Sequence, residues 1–175
     1  ADFLPRAVQN VVAAAEQLRT LAGVQRLVLG GWRFGATLAV LAAEAMAARN
    51  HGPAALVLMA PVINGRGYLR ELRALTAFYE PGQSPDAASS SQLPQPLQAA
   101  SPADDGMEVL SYRLSAEAVR EIGALRLDRR PGCPAPNVLL LDDAPGSMSA
   151  VAALKRHYEQ AGAQVDVREF FDSRL

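Results

Sequence analysis

The residues whose spacing points to chemistry are Gly31, Arg33 and Gly35, in the run GGWRFG that starts at Gly30. Glycines at this spacing form a Gly-x-nucleophile-x-Gly frame, in which the central residue sits on a sharp strand-to-helix turn. We expect a Cβ at either flanking glycine to collide with a neighbouring element. The centre of this frame is an arginine, which stays protonated and is not a nucleophile. The sequence therefore predicts the geometry of an acyl-transfer site without its serine.

The elements that must position this turn are a strand before it and a helix after it. Residues 27–29 form a short apolar run typical of a buried strand, and an alanine- and leucine-rich segment then continues without a helix breaker to Asn50. Residues 2–21 carry apolar residues at helical spacing, which predicts a helix before the strand.

Strand and helix patterns continue to alternate along the chain. Strands are predicted at 55–62, 138–141 and 165–171, the last nearer the sheet edge, and helices at 68–79, 115–127 and 151–160. This alternation predicts a parallel, doubly wound sheet in a single domain over residues 1–175. Residues 80–106 are rich in proline and serine, and we interpret them as a flexible insertion.

Two segments carry a family resemblance. GGWRFGATLA resembles the nucleophile elbow of α/β-hydrolase proteins, and residues 60–72, APVINGRGYLREL, resemble the exosortase-system-associated hydrolases, a bacterial subgroup with arginine at the nucleophile position. The resemblance implies a three-layer α/β/α sandwich with a mostly parallel sheet and a lid-like insertion at 80–106.

The same resemblance implies strands before the elbow and a catalytic histidine after the last strand, and neither is found in the sequence. We therefore expect a domain that is incomplete at both ends. The strand at 27–29 would then have one unpaired edge, through which a homo-oligomer could form.

Arg33 has two interpretations. Near the N-terminus of a helix, its guanidinium would help to bind a carboxylate or phosphate, together with the backbone N–H of Phe34. Alternatively, Arg33 pairs with Asp142 or Asp143, which end the strand that supplies the triad acid in many α/β-hydrolases. The sequence favours the pairing, because motifs that lack the required side chain usually mark lost chemistry.

A second set of candidates follows the next strand. Arg66, Tyr68, Arg70 and Arg73 would line a pocket for an acidic ligand, or form a solvated helix face with Glu71 as the counter-charge, and the solvated face is favoured. The predicted ligand-binding residues are Trp32, Arg33, Phe34 and Arg66.

Other reactive side chains are poor candidates. His51 lies in a turn and His157 within a helix, away from the position of a general base, and Thr37 is expected to face the helix packing. Ser147 or Ser149 is interpreted as the N-cap of the last helix. Without a cluster of suitable ligands, the sequence predicts neither a metal nor another cofactor.

The composition excludes several classes of protein. The net charge of −1 argues against nucleic acid as a partner, and no apolar run reaches the roughly 18 residues that span a bilayer, so we expect a cytoplasmic protein. Two functions remain. One is a degenerate hydrolase-like protein that binds a small anionic or acyl ligand or a partner protein. The alternative is an active serine-type hydrolase or acyltransferase, acting on a small ester, thioester or amide, whose nucleophile lies outside the elbow.

Overall fold

A computed structural model describes residues 3–79, 106–109, 112–142 and 148–169. Its elements, in chain order, are α1 Phe3–Ala22, β1 Val28–Trp32, α2 Phe34–Ala47, β2 Ala55–Met59, α3 Gly65–Tyr79, β3 Met107–Val109, β4 Tyr112–Leu114, α4 Ala116–Gly123, a 3-10 turn Leu127–Arg129, β5 Asn137–Asp142, α5 Met148–Gln160 and β6 Gln164–Glu169. The predicted insertion lies outside the described residues except for Gly106.

The central feature is a four-stranded sheet in the order β1-β2-β5-β6. All three strand pairs are parallel, which confirms the predicted α/β class and its mostly parallel sheet. The short strands β3 and β4 form a separate antiparallel pair that the sequence pattern did not predict. Strand β6 lies at one edge, as predicted.

The helices that pack on the described sheet share one face. The register aligns Leu56, Val138 and Val165, and these residues are buried in one cluster with side chains of both α2 and α5. On the opposite face, Val57 and Leu139 belong to none of the buried clusters. The described residues therefore form two layers and lack the predicted third.

The strand order explains this difference. Right-handed crossovers place the connecting helices on one face as long as the strand order advances in a single direction. A doubly wound sheet reverses that direction, but the order β1-β2-β5-β6 does not. Strand alternation alone predicted a parallel sheet, and it could not predict whether the order reverses.

Strand β1 is the other edge of the described sheet. It pairs only with β2 within the described residues, which confirms the predicted unpaired flank. Its face away from α2 exposes Val28 and Trp32, with 55% and 64% of their surface accessible. An edge strand with exposed apolar residues and no charge among them is open to pairing with another strand.

The helices α3 and α4 pack with the hairpin in a smaller cluster of their own. Its core contains Leu69, Met107, Val109 and Ile122. Gly65 permits the close approach of α3 to α4, because a Cβ there would lie 1.7 Å from the carbonyl oxygen of Ile122. This crossing fixes where α3 begins.

Helix ends agree only in part with the sequence. Gly23 and Gly162 follow α1 and α5 with positive φ, as expected of glycine at a helix C-terminus, and Ser115 caps α4 by accepting the N–H of Ala118 at 3.2 Å. Ser149 is not a cap, because α5 already begins at Met148. No helix in the described part of the chain has the length and apolar character to cross a bilayer.

Candidate functional site

The turn between β1 and α2 has the conformation that the glycine frame predicted. Arg33 adopts φ 53° and ψ −121°. Its N–H donates to the carbonyl oxygen of Met59 at 2.9 Å, and its own carbonyl accepts the N–H groups of Ala36 and Thr37. A positive φ is uncommon outside glycine and costs about 1–3 kcal/mol, so such residues persist only where the surroundings hold them in place.

The two frame glycines are not equivalent. A Cβ at Gly31 would lie 2.4 Å from the carbonyl carbon and oxygen of Gly35, whereas a Cβ at Gly35 would meet nothing within 4 Å. The expected steric requirement is therefore met at Gly31 and is wrong for Gly35. Gly35 contributes through its backbone, which approaches Gly31 closely.

Arg33 faces a pocket of about 460 Å³ beside the ends of β1, β2 and β5, which we call the elbow pocket. Its polar lining residues are Arg33, Asn64, Tyr68, Glu71, Arg126, Asp128 and Asp142, and its apolar walls include Pro61, Val62 and Val151. Ala60, which follows β2 in the same lining, also has a positive φ of 43°. Two strained non-glycine residues thus border one pocket.

The side chain of Arg33 is paired with a carboxylate on α3. Its Nη2 donates to Oε1 of Glu71 in an ion pair, while Asp142 lines the same pocket and Asp143 lies outside the described residues. The guanidinium also lies over the ring of Tyr68, with its carbon 5.9 Å from the ring centroid, within the range of a cation–π interaction. Glu71 and Tyr68 on α3 therefore hold Arg33 over the pocket.

Burial raises the pKa of Tyr68. The positive charge of Arg33 partly opposes this rise, and the negative charge of Glu71 adds to it. The phenol therefore stays protonated at neutral pH, where it is a hydrogen-bond donor and not a nucleophile.

A second ion pair closes the pocket on the side of α4. The Nε and Nη2 atoms of Arg126 donate to the two carboxylate oxygens of Asp128 at 3.0 and 2.8 Å. These hydrogen bonds are the main reason that the pKa of Asp128 is lowered and that of Arg126 raised. The elbow pocket is thus lined by arginines that each have a carboxylate partner.

The structure separates the predicted ligand-binding residues. Only Arg33 lines the elbow pocket, while Trp32 is exposed and Phe34 stacks on Tyr68 with ring centroids 5.7 Å apart. Arg66 lines a different cavity. Asp142, which is 7% exposed, lies in the elbow pocket, and Asp143 is outside the described residues.

Among the described residues, the groups needed for acyl transfer do not converge on this pocket. Its lining within the described residues includes no serine, cysteine, threonine or histidine. His51 is exposed, and Nε2 of His157 lies 2.6 Å from the carbonyl oxygen of Arg130. Thr37 is fully buried and donates to the carbonyl of Val62, as expected of a residue in the helix packing.

Ser149 is exposed on α5, and Ser147 lies outside the described residues. In the same parts of the chain, no three His, Cys, Asp or Glu side chains come together as a metal site would require.

The other side of α3 borders a cavity of about 720 Å³, which we call the arginine groove. It is lined by Asn64, Arg66, Leu69, Arg70, Arg73, Gly123, Ala124, Arg126 and Arg129. Arg126 lines both cavities and is the wall between them. Arg66, Arg70 and Arg73 are exposed, as expected of a solvated helix face, and Glu71 is paired with Arg33.

No protein-family model and no curated protein matches this chain. The hydrolase resemblance therefore rests on the elbow sequence and on segment 60–72.

Three polar residues of the elbow pocket were not predicted from the sequence: Glu71 as the partner of Arg33, and the paired Arg126 and Asp128. Helical spacing contained a signal for the first. Tyr68 and Glu71 are three residues apart and share a helix face, whereas Glu71 lies about 140° around the helix from Arg66. For Arg126 and Asp128, which lie in a connection after α4, the sequence held no comparable signal.

Proposed function

We propose that this chain is an α/β-hydrolase-like domain, in which Arg33 has replaced the nucleophile, and that it binds a small anionic or acyl ligand without catalysis. The observation that carries the proposal is the left-handed backbone of Arg33 at the tip of β1, above the elbow pocket. Strained residues of this kind cluster at functional sites. In this case the strain directs a guanidinium, not a hydroxyl, toward the ligand.

The pocket offers both charge and apolar contact. One nitrogen of Arg33 donates to Glu71, which leaves other N–H donors of the planar guanidinium for a ligand oxygen. Phe34 does not line the pocket, but it is the first residue of α2, so its N–H has no acceptor within the helix and adds to the positive potential next to Arg33. Pro61, Val62 and Val151 provide the apolar wall. A short carboxylate with an aliphatic tail fits both parts.

Calorimetric titration of the full chain with hexanoate tests this proposal, with hexanol as the uncharged comparison. Arg33→Gln should weaken hexanoate binding by about tenfold, because a charge-assisted hydrogen bond is lost. Arg26→Gln makes the same change in charge at an exposed arginine outside the pocket and is the matched control. Equal affinity of Arg33→Gln and the unaltered chain would contradict the proposal.

The proposal includes self-association through the edge of β1. An antiparallel pairing of two β1 strands about Gly30 would place Val28 beside Trp32 of the second copy, an aromatic and β-branched pair of the kind that stabilises sheets. Trp32→Lys should shift a dimer to monomer in light scattering, because charge at an edge blocks strand pairing. A chain that is already monomeric at high concentration would contradict this part.

A further inference from the structure

We propose that the arginine groove is a second binding site, for a small ligand that carries two or more phosphate or carboxylate groups. The groove lies on the side of α3 opposite the ion pair of Arg33 and Glu71, and it goes beyond the function proposed for the elbow pocket. Its charge comes from two segments that are distant in sequence and that the α3–α4 crossing brings together.

The first wall of the groove is a stripe on α3. Arg66, Arg70 and Arg73 are spaced four and three residues apart, so they project from one face of the helix. All three are exposed, while Leu69 between them is buried and anchors the helix. Like charges at these spacings destabilise an isolated helix, and a bound anion would offset that repulsion.

The second wall follows α4. Arg126 and Arg129 line the groove beyond the end of that helix, and Gly123 and Ala124 leave its floor open. Arg126 is held in place by its bidentate pair with Asp128. The second wall is therefore partly fixed before any ligand arrives.

The described lining of the groove carries positive charge without carboxylates. No acidic side chain is part of its lining within the described residues. Arg66, Arg70, Arg73 and Arg129 form no ion pair with any other described residue, although Arg49, Arg130 and Arg168 elsewhere each have one. In a chain with net charge −1, the groove thus gathers arginines that no carboxylate of its described lining compensates.

The chemistry of the arginine side chain restricts which ligands can bind in the groove. The guanidinium fork binds the oxygens of phosphate and carboxylate groups bidentately, and several forks around one cavity suit a ligand with several such groups. Inorganic triphosphate and citrate are suitable probes for the two versions of this chemistry. Comparing the affinities of triphosphate and citrate shows which anionic group the groove prefers. Saturable binding of either probe supports the proposal of a binding site.

The test is calorimetric titration of the full chain with each probe at constant ionic strength. Arg70→Gln and Arg66→Gln should each weaken binding by about tenfold, the loss expected for one charge-assisted hydrogen bond. Arg156→Gln, an exposed arginine of α5, is the matched control and should change affinity by less than about twofold. Circular dichroism should show that all variants keep their helices.

Arg33→Gln separates this site from the elbow pocket. It should leave triphosphate and citrate binding unchanged, so that failure of one proposal does not decide the other. The groove proposal would be overturned if neither probe bound, if Arg70→Gln bound as tightly as the unaltered chain, or if Arg156→Gln caused an equal loss.

Discussion

The two faces of α3 place arginine in contrasting surroundings. On the side of the elbow pocket, Arg33 and Arg126 each have a carboxylate partner, Glu71 and Asp128. On the side of the arginine groove, Arg66, Arg70 and Arg73 have none among the described residues. One helix, α3, thus holds the side chain of Arg33 in a fixed direction on one face and presents arginines that are unpaired among the described residues on the other.

The two sites also differ in what builds them. The elbow pocket depends on strained backbone at Arg33 and Ala60 and on the close contact of Gly31 with Gly35. The arginine groove depends on long side chains along a regular helix. Changes to the backbone should therefore disrupt the first site most, and changes of charge should act mainly on the second.

The largest expected effect is on the elbow backbone. Gly31→Ala should lower the free energy of unfolding by roughly 2–3 kcal/mol, because its Cβ would overlap the backbone of Gly35. Gly35→Ala is the matched control and should be close to neutral, since its Cβ enters open space at the start of a helix. Urea unfolding of both variants measures the difference, and equal losses would show that the elbow is not tightly packed.

The next largest expected effect is on ligand affinity in the elbow pocket when Arg33 loses its carboxylate partner. Glu71→Gln should strengthen hexanoate binding in the elbow pocket about two- to fivefold, because this partly exposed carboxylate competes with the ligand for the guanidinium. Triphosphate binding in the groove should stay the same. A parallel gain in both sites would mean that the comparison reflects overall charge and not local pairing.

The ion pair of Arg126 and Asp128, which lies between the two sites, should make the stability of the fold depend on pH. The pKa of Asp128 is lowered by its hydrogen bonds from Arg126, so this carboxylate binds fewer protons in the folded chain than in the unfolded chain. Its stabilising effect should be complete above the unfolded pKa, near 4, and should be lost as pH falls through the lower folded value. Unfolding of the chain and of Asp128→Asn across this range should show a stability difference that shrinks toward low pH. A difference that is constant with pH would contradict the role of the pair.

The smallest expected effect is a change in the stability of the ligand-free chain when the charge of the arginine groove is reduced. Arg70→Gln should raise the free energy of unfolding by about 0.2–0.5 kcal/mol, because it removes repulsion from Arg66 and Arg73. The gain should disappear in the presence of saturating triphosphate. If Arg70→Gln instead destabilises the free chain, Arg70 already has a favourable partner. That result would contradict the proposed difference between the two faces of α3.

Local sequence patterns predicted the elements better than their arrangement. The strand, turn and helix around Arg33 followed from apolar runs and glycine spacing, and the unpaired edge of β1 followed from the strands present. The hairpin of β3 and β4 was not predicted, because each strand has only three residues. The two-layer arrangement was also missed, since it depends on strand order.

The site was predictable at its centre and not around it. The glycine frame singled out Arg33, and the resemblance suggested Asp142 or Asp143 as its partner, while the structure supplies Glu71 from a helix. Helical spacing could have separated Glu71 from Arg66 and Arg70. The positions of Arg126 and Asp128 depend on the contact of the α4 connection with Ile63 and Asn64, which no local pattern encodes.

We propose above all that Arg33 makes the elbow a binding site and not a reactive one. The most direct test is to expose the full chain to a fluorophosphonate, measure its intact mass, and map any modified peptide. The account predicts an unmodified mass, because the pocket presents no serine among its described lining residues. A stoichiometric adduct on a serine would contradict it and would locate the nucleophile of an active enzyme.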